Sequence, residues 1–352
     1  MTQATEMSDV PSRRTMSVSI ARLRPLLEQA TAASIDVEDL LSTLDLPADL
    51  ADQASEDQIC LSDYYRIQNR LTALFGDETC HLSERQLLPG STDFVLRNIG
   101  ECRSLRDAMQ TIADSYNLLH GGQYNSVEMG REFVDYVIDD ASFPYNNSFS
   151  REDVFFTMES TLIFLHCMLQ TVTEGAGDAV RRLYLKRPAR DDRSGHLAYW
   201  QVPVRFGARK YRLCLDAELA TKPLPTINSA RLTSAAVYDQ ILRSIAAPDR
   251  ALSTYNQVYE ALLAGAHEQS DVARALGISV ATPRRRLSDE GISFRQLRQE
   301  MLNDRAKRLL KDNVSVNQVA DLLGFSEFRS FVRAFKSWNG LTPSAFVRQS
   351  KS

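Results

Sequence analysis

The chain is short of cysteine and histidine and has no glycine-rich nucleotide motif, and each shortage closes a class of function. Only five cysteines and five histidines occur in 352 residues. Cys60, Cys80, Cys102, Cys167 and Cys214 are scattered, odd in number and never in Cys-x-x-Cys spacing, which argues against a disulfide scaffold or a zinc ribbon. Isolated thiols of this kind suit a reduced, cytoplasmic protein. Neighbouring side chains diverge on a helix and face opposite sides of a strand, so Cys80-His81 and His166-Cys167 are poor chelating pairs. No metal and no other cofactor is expected. Gly-x-Ser-x-Gly, Walker and Rossmann patterns are missing, so no catalytic constellation stands out and the chain does not read as an enzyme. Glu174-Gly175-Ala176-Gly177-Asp178 lacks the Lys and Ser/Thr of a phosphate loop and reads as a helix-ending turn. No run of about 18 apolar residues is found, so no membrane span is expected. Met1 to Arg14 lacks the apolar middle of a secretory signal and reads as a short disordered lead.

What is present is globular. Hydrophobic residues make up 43% and charged residues 24%, ordinary for packed domains, and the length suits two domains or three. The net charge of −4 is divided unevenly. Residues 251–352 carry 15 Lys and Arg against 10 Asp and Glu, while the first 250 carry 26 against 35. A basic module is joined to an acidic one.

The first part reads as mixed helix and strand. Helices are expected over Val18–Ala32, Val37–Leu44, Leu61–Leu74, Leu105–His120 and Arg151–Thr173, the last apolar nearly all round and therefore buried. Tyr124–Met129 and Glu132–Ile138 suggest a hairpin around Gly130-Arg131, and Arg181–Lys186 and Lys210–Asp216 further strands. Without βα alternation this is an α+β fold. Lys222-Pro223-Leu224-Pro225 marks a boundary, followed by a helix over Ser229–Ala246 that connects the domains, pairs between subunits or packs on its own domain.

The end of the chain repeats itself. Asp271–Ser279 reads DVARALGIS and Gln318–Ser326 reads QVADLLGFS. Val272, Ala273, Leu276, Gly277 and Ser279 recur 47 residues later as Val319, Ala320, Leu323, Gly324 and Ser326. Each copy predicts a short helix, a glycine at positive φ, an apolar plug and a serine cap for a second helix. That is a helix-turn-helix unit. The second helices, Val280–Asp289 and Glu327–Trp338, carry Arg284, Arg285 and Arg286 in one copy and Arg329, Arg333 and Lys336 in the other. Arginine on such a helix can hold phosphates or grip guanine in the major groove. Phe294–Lys311 forms an amphipathic helix between the copies, and its length sets the spacing of the two readers. An all-α DNA-binding domain with two helix-turn-helix units is therefore expected after the α+β part.

At these residues the chain closely resembles the AraC/XylS family of transcription regulators. The resemblance covers about residues 251–350 and includes the run SFVRAFKSWNGLTPSAFVR from Ser330 to Arg348. It implies base-facing positions at Ala281, Arg284 and Arg285 on the first reader and at Phe328, Arg329, Ser330 and Arg333 on the second, with Lys336 beside them. Pro283 stands where the family has a leucine; if Val280 opens the helix, Pro283 is its fourth residue, and the helix must start later or tilt. Phe94–His120, VPVRFGA at Val202–Ala208, YRLCLD at Tyr211–Asp216 and Pro223–Pro225 are similar to the arabinose-binding-like sensor domain of one AraC subgroup. That similarity implies effector sensing without naming the effector.

The resulting division is a disordered lead over 1–16, an effector-sensing and dimerisation domain over 17–226, a linker helix over 227–249 and a DNA-binding domain over 250–352. The function read from it is an effector-responsive activator, acting as a homodimer on promoter DNA and engaging RNA polymerase, with no membrane partner. Control by abundance or by a protein partner is the second reading. A DNA-targeted repair enzyme is the third; it needs a reactive cysteine in a Pro-Cys-His-like setting, which none of the five has. Candidate effector contacts are Tyr116, His120, Tyr145, Asn146, His166 and Trp200. Phe143-Pro144-Tyr145-Asn146-Asn147 reads first as a structured loop, and His166, set among Phe164, Leu165, Met168 and Leu169, first as a core histidine.

Overall fold

A computed structural model describes residues 16–173, 175–188, 195–225, 232–246, 254–263, 265–266, 268–289, 292–311, 314–325 and 327–350. The lead expected over 1–16 lies outside them, apart from Met16.

Strand β1 (Ser17–Ser19) runs into α1 (Ile20–Ala32). α2 (Val37–Thr43), β2 (Gln58–Cys60) and α3 (Leu61–Phe75) follow, with β1 and β2 paired antiparallel. Pro25 sits inside α1, which is otherwise continuous. α4 (Ser91–Ile99) is a helix that the sequence pattern did not reveal, because only nine residues carry it. α5 (Leu105–His120) is capped by the Ser104 hydroxyl at one end and by Gly121 at φ 66° at the other. β3 (Asn125–Met129) and β4 (Phe133–Ile138) form the expected hairpin.

α6 (Arg151–Val172) is long and apolar enough to cross a membrane by length and composition, although it holds no unbroken run of 18 apolar residues. Its apolar window is 67% buried within the protein, so the apolar girth serves a core. The glycines that follow do not simply end it. After Thr173 the chain makes the short α7 (Ala176–Ala179) before β5 (Val180–Tyr184), β6 (Val204–Arg205), β7 (Tyr211–Asp216) and α8 (Ala217–Thr221). The five-stranded sheet has the order β3-β4-β7-β5-β6, antiparallel except for the last pair.

α9 (Ser234–Ala246) starts later than expected and packs on α6, α3 and α4, with Val237 and Ile241 fully buried in the N-terminal core. The helix thus packs on the N-terminal domain, which leaves a connecting or subunit-pairing role open to it. The same core buries a charged cluster. Glu159, itself 0% exposed, accepts from the Arg187 guanidinium at 2.9 and 3.0 Å and from the His196 Nε2 at 2.8 Å. Burial pushes the His196 imidazole down, so the neutral ring donates while Arg187 carries the charge.

The C-terminal part is all helix: α10 (Thr254–Leu263), α11 (Gln269–Ala275), α12 (Ala281–Asp289), α13 (Phe294–Lys311), α14 (Val316–Leu322), α15 (Phe328–Asn339) and α16 (Pro343–Ser350). It has two small cores. One gathers Val258, Tyr259, Leu262, Val272, Leu287, Leu297 and Met301, the other Ala306, Leu310, Val319, Ala320, Phe331 and Phe335. α13 supplies residues to both.

Candidate DNA-reading helices and sensor cavity

The two helix pairs α11–α12 and α14–α15 are closed by the same backbone bonds. The N–H of Ile278 donates to the Ala273 carbonyl at 3.0 Å, and the N–H of Phe325 donates to the Ala320 carbonyl at 3.0 Å. Gly277 and Gly324 supply the left-handed residue, at φ 65° and 74°. Both first helices start with a capping box, Glu268 with Asp271 and Ser315 with Gln318. The serine caps expected for the second helices do not appear as drawn. Ser279 meets the Thr282 hydroxyl through its own, at 2.7 Å, and its carbonyl takes the Thr282 N–H. Ser326 lies outside the described residues.

α12 opens at Ala281, so Pro283 is its third residue. The helix starts later than Val280, as expected; the missing N–H would have had no helical partner there, and the helix runs on to Asp289. Pro283 is buried, as is Leu287 four residues on. They match the buried pair Phe331 and Phe335 of α15, so the proline ring serves as the core knob of the first unit.

Outward from these pairs lie the candidate reading residues. Ala281, Arg284 and Arg285 are exposed on α12; Phe328, Arg329, Arg333 and Lys336 are exposed on α15, with Ser330 half-buried. Arg329, Arg333 and Lys336 fall within about 60° of one another at 100° per residue, opposite Phe331 and Phe335. Arg284, Arg285 and Arg286 are consecutive and therefore fan across about 200°. Arg333 is steadied by a 3.3 Å bond from its guanidinium to the Ser330 hydroxyl. Phe328 keeps 45% of its surface exposed at the mouth of its helix.

In the N-terminal part a cavity of about 220 Å³ opens between α3, α5, α6, α9 and the hairpin. Its wall includes Tyr65, Gln68, Glu78, Ile112, Tyr116, His120, Tyr124, Tyr136, Asp140, Phe143, Tyr145, Phe164, Ser234 and Tyr238. One side is the loop after α3, which Asp77 holds in shape. This buried carboxylate accepts from the backbone of Thr79, His81 and Leu87 and from the Thr79 hydroxyl. Cys80 and His81 take positive φ in that loop, 49° and 61°. Glu78 accepts from the N–H of Gly90 and Thr92 and from the Thr92 hydroxyl, which in turn accepts from the Tyr116 hydroxyl at 3.0 Å. Burial, reinforced by nearby Arg85, pushes the His120 imidazole down.

Of the six candidate effector contacts, Tyr116, His120 and Tyr145 are brought together in this wall. Asn146 is beside the loop but spends its side-chain oxygen on the Ser148 N–H. His166 and Trp200 are buried in the core, where His166 Nδ1 lies 2.7 Å from the Tyr199 hydroxyl. They do not line the cavity, and the core reading of His166 is the one realised. Tyr65, Tyr136 and Tyr238 were missed; each lies on an apolar helix face or a strand, where burial in a core and burial against a ligand leave the same pattern.

All five cysteines are free. Burial pushes the Cys60, Cys80, Cys102 and Cys214 thiols up, away from the thiolate a repair nucleophile needs. Among the described residues no group of three His, Cys, Asp or Glu could hold a metal ion.

Comparison with known proteins gives two family matches: a helix-turn-helix domain over residues 272–349, and the N-terminal arabinose-binding domain of AraC transcription regulator over residues 35–224. An uncharacterized HTH-type transcriptional regulator of Mycobacterium tuberculosis is 42% identical over 81 residues, 23% of this chain and 24% of that protein. The HTH-type transcriptional regulator VqsM of Pseudomonas aeruginosa is 25% identical over 171 residues, 44% of this chain and 49% of that protein. The virulence regulon transcriptional activator VirF of Shigella flexneri is 33% identical over 78 residues, 22% and 30% of the two chains. These alignments span between a quarter and a half of the relatives' lengths. The crystal structure of transcriptional regulator CdpR from Pseudomonas aeruginosa aligns over 93% of this chain and 98% of its own, at 20% identity and a TM-score of 0.31. With the arabinose-binding match alone covering more than half of its length, the chain belongs to the AraC family of transcription regulators.

Proposed function

We propose that this regulator is effector-responsive: a small molecule in the N-terminal cavity alters the setting of α9, and through it DNA binding by α12 and α15. One observation carries this reading. Ser234 and Tyr238 of α9 form part of the cavity wall, and seven residues separate the end of that helix from α10. A ligand that fits the cavity better with α9 in one position shifts the population toward it. Tyr238→Ala is expected to keep basal promoter binding and lose the effector response, read by titrating labelled promoter DNA with and without effector. An effector response as large as in the parent protein would sink the relay through α9.

On DNA, the stripe Arg329, Arg333 and Lys336 suits one wall of the major groove, with Arg333 reading a guanine and Lys336 holding a phosphate. Phe328 and Ala281 open the two readers with apolar surface, the kind that meets a thymine methyl. Arg284 and Arg285 contact phosphate and base edge in the adjacent groove. The sensing unit proposed here runs from residue 17 through the end of α9, and 250–352 form the DNA-binding unit. Action as a cytoplasmic homodimer that activates transcription with RNA polymerase completes the proposal; the Shigella flexneri relative bears the name activator. Footprinting followed by transcription with purified polymerase tests the sign of regulation. Control without an effector predicts instead that no metabolite raises the melting temperature or changes promoter binding.

A further inference from the structure

We infer that the cavity takes an organic cation, an ammonium group carried on an apolar body. The inference deepens the effector reading and rests on it. Three observations converge. First, among the described residues the wall has two carboxylates and no lysine or arginine. Asp140 is neutralised by Lys186, whose ammonium lies 2.5 Å from it. Glu78 is held only by neutral donors, and among the described residues no cation pairs with it. Three donors leave a carboxylate room for a fourth, which a ligand ammonium can fill. Second, six tyrosines and two phenylalanines line the cavity. Four of the tyrosine hydroxyls are already spent within the protein: Tyr65 on the Ser160 carbonyl, Tyr116 on Thr92, Tyr136 on Asn125 and Tyr145 on Asp140. What these residues offer a ligand is ring face, which attracts a cation, and not the array of free hydroxyls a polyol needs. Third, His120 is held neutral, so the described wall bears no positive charge at neutral pH. An anionic ligand would enter a site with an uncompensated carboxylate and nothing to pair with.

The full-length protein can be titrated with three probes that share one apolar body: 3-phenylpropylammonium, 3-phenylpropanol and 3-phenylpropionate. The ammonium probe is expected to bind at least ten-fold more tightly than the alcohol, with the carboxylate weakest, by calorimetry and by thermal shift. Glu78→Gln should cut the ammonium-over-alcohol ratio at least five-fold. Tyr238→Leu, which leaves the Glu78 loop untouched, should lower ammonium affinity several-fold with an unchanged melting temperature for the free protein. Equal or tighter binding of the carboxylate, or no ammonium binding up to millimolar concentration, overturns the inference. Promoter affinity measured alongside separates the two readings. Ammonium binding that depends on Glu78 but leaves promoter affinity unchanged upholds the ligand class and removes the relay. A promoter response to the carboxylate alone does the reverse.

Discussion

The two helix-turn-helix units share a turn, a glycine and a closing hydrogen bond, yet they are built from different material. The second buries Phe331 and Phe335 edge to face, with Phe346 edge to face on Phe335 and Phe325 tilted between Phe331 and Trp338. Its reader is 12 residues long and ends on Gly340 at φ 74°. The first buries Pro283 and Leu287 beneath a reader of nine residues. The aromatic unit also presents its cations as a stripe, the aliphatic one as a fan. Both helices are anchored at i and i+4, so the difference in charge placement lies in spacing: cations three or four residues apart share a face, and consecutive arginines cannot. A common turn thus carries two kinds of core and two patterns of charge.

Matched substitutions can break that comparison. The largest effects fall on the cores: Phe335→Ala should cost about 3–5 kcal/mol and Leu287→Ala about 2–5 kcal/mol in urea unfolding, by lost contacts plus the cavity left behind. A loss that is reversed in order would show the aliphatic unit to be the better anchored. Next come the cations. Arg333→Ala should weaken binding by about 1–3 kcal/mol and relax base preference at one position, while Arg284→Ala should weaken all sequences alike and reduce the salt slope by about 0.9. Footprinting of a randomised site at two salt concentrations reads both, and exchanged behaviour would reverse the assignment. Gly277→Ala and Gly324→Ala should each cost about 1 kcal/mol, since both sit at positive φ with open space where the added methyl would go. Unequal costs would mean that the turns are not equivalent. Pro283→Ala should cost about 1–2 kcal/mol, from the two buried ring methylenes it removes and not from the backbone, because a first-turn proline forfeits no helical bond; a gain in stability would place the ring outside the core.

The N-terminal core adds a contrast in pH. His196 is held below its unfolded value of 6.5 by burial, so below about pH 6.5 the unfolded chain takes up a proton that the folded chain refuses. Stability of that core should fall as pH drops from 7.5 to 5.5, and His120 adds to the slope in the same direction. Replacing His196 by Gln should flatten the unfolding midpoints measured across this range; an undiminished slope would place the titration elsewhere.

Legibility in the sequence followed the range of the interactions. The repeat, the turn glycines and α5 are set by contacts a few residues apart, and pattern reasoning places them within a residue or two. The later start of α12 was legible in Pro283; the burial of its ring in a core was not. α6 shows the same limit from the other side: its composition permits a membrane helix, and only its surroundings decide otherwise. The cavity is the least legible part. Tyr65, Tyr136 and Tyr238 come from three distant segments, and nothing local distinguishes a tyrosine facing a cavity from one filling a core. Tyr116, His120 and Tyr145 were found because they stand at a helix end and in a loop of mixed aromatic and polar character.

α13 places Leu297 and Met301 in one small core and Ala306 and Leu310 in the other. Its 18 residues span about 27 Å. Both readers are thus mounted on one screw. A single residue inserted near its middle would advance one reader by about 1.5 Å and turn it by about 100° relative to the other, aiming it away from the groove its partner occupies. Seven residues would restore the angle to within about 20° while lengthening the span by about 10 Å, one third of a DNA turn. The helix therefore admits substitutions on its surface far more readily than any change of length, and the operator spacing that this protein accepts is written in a residue count.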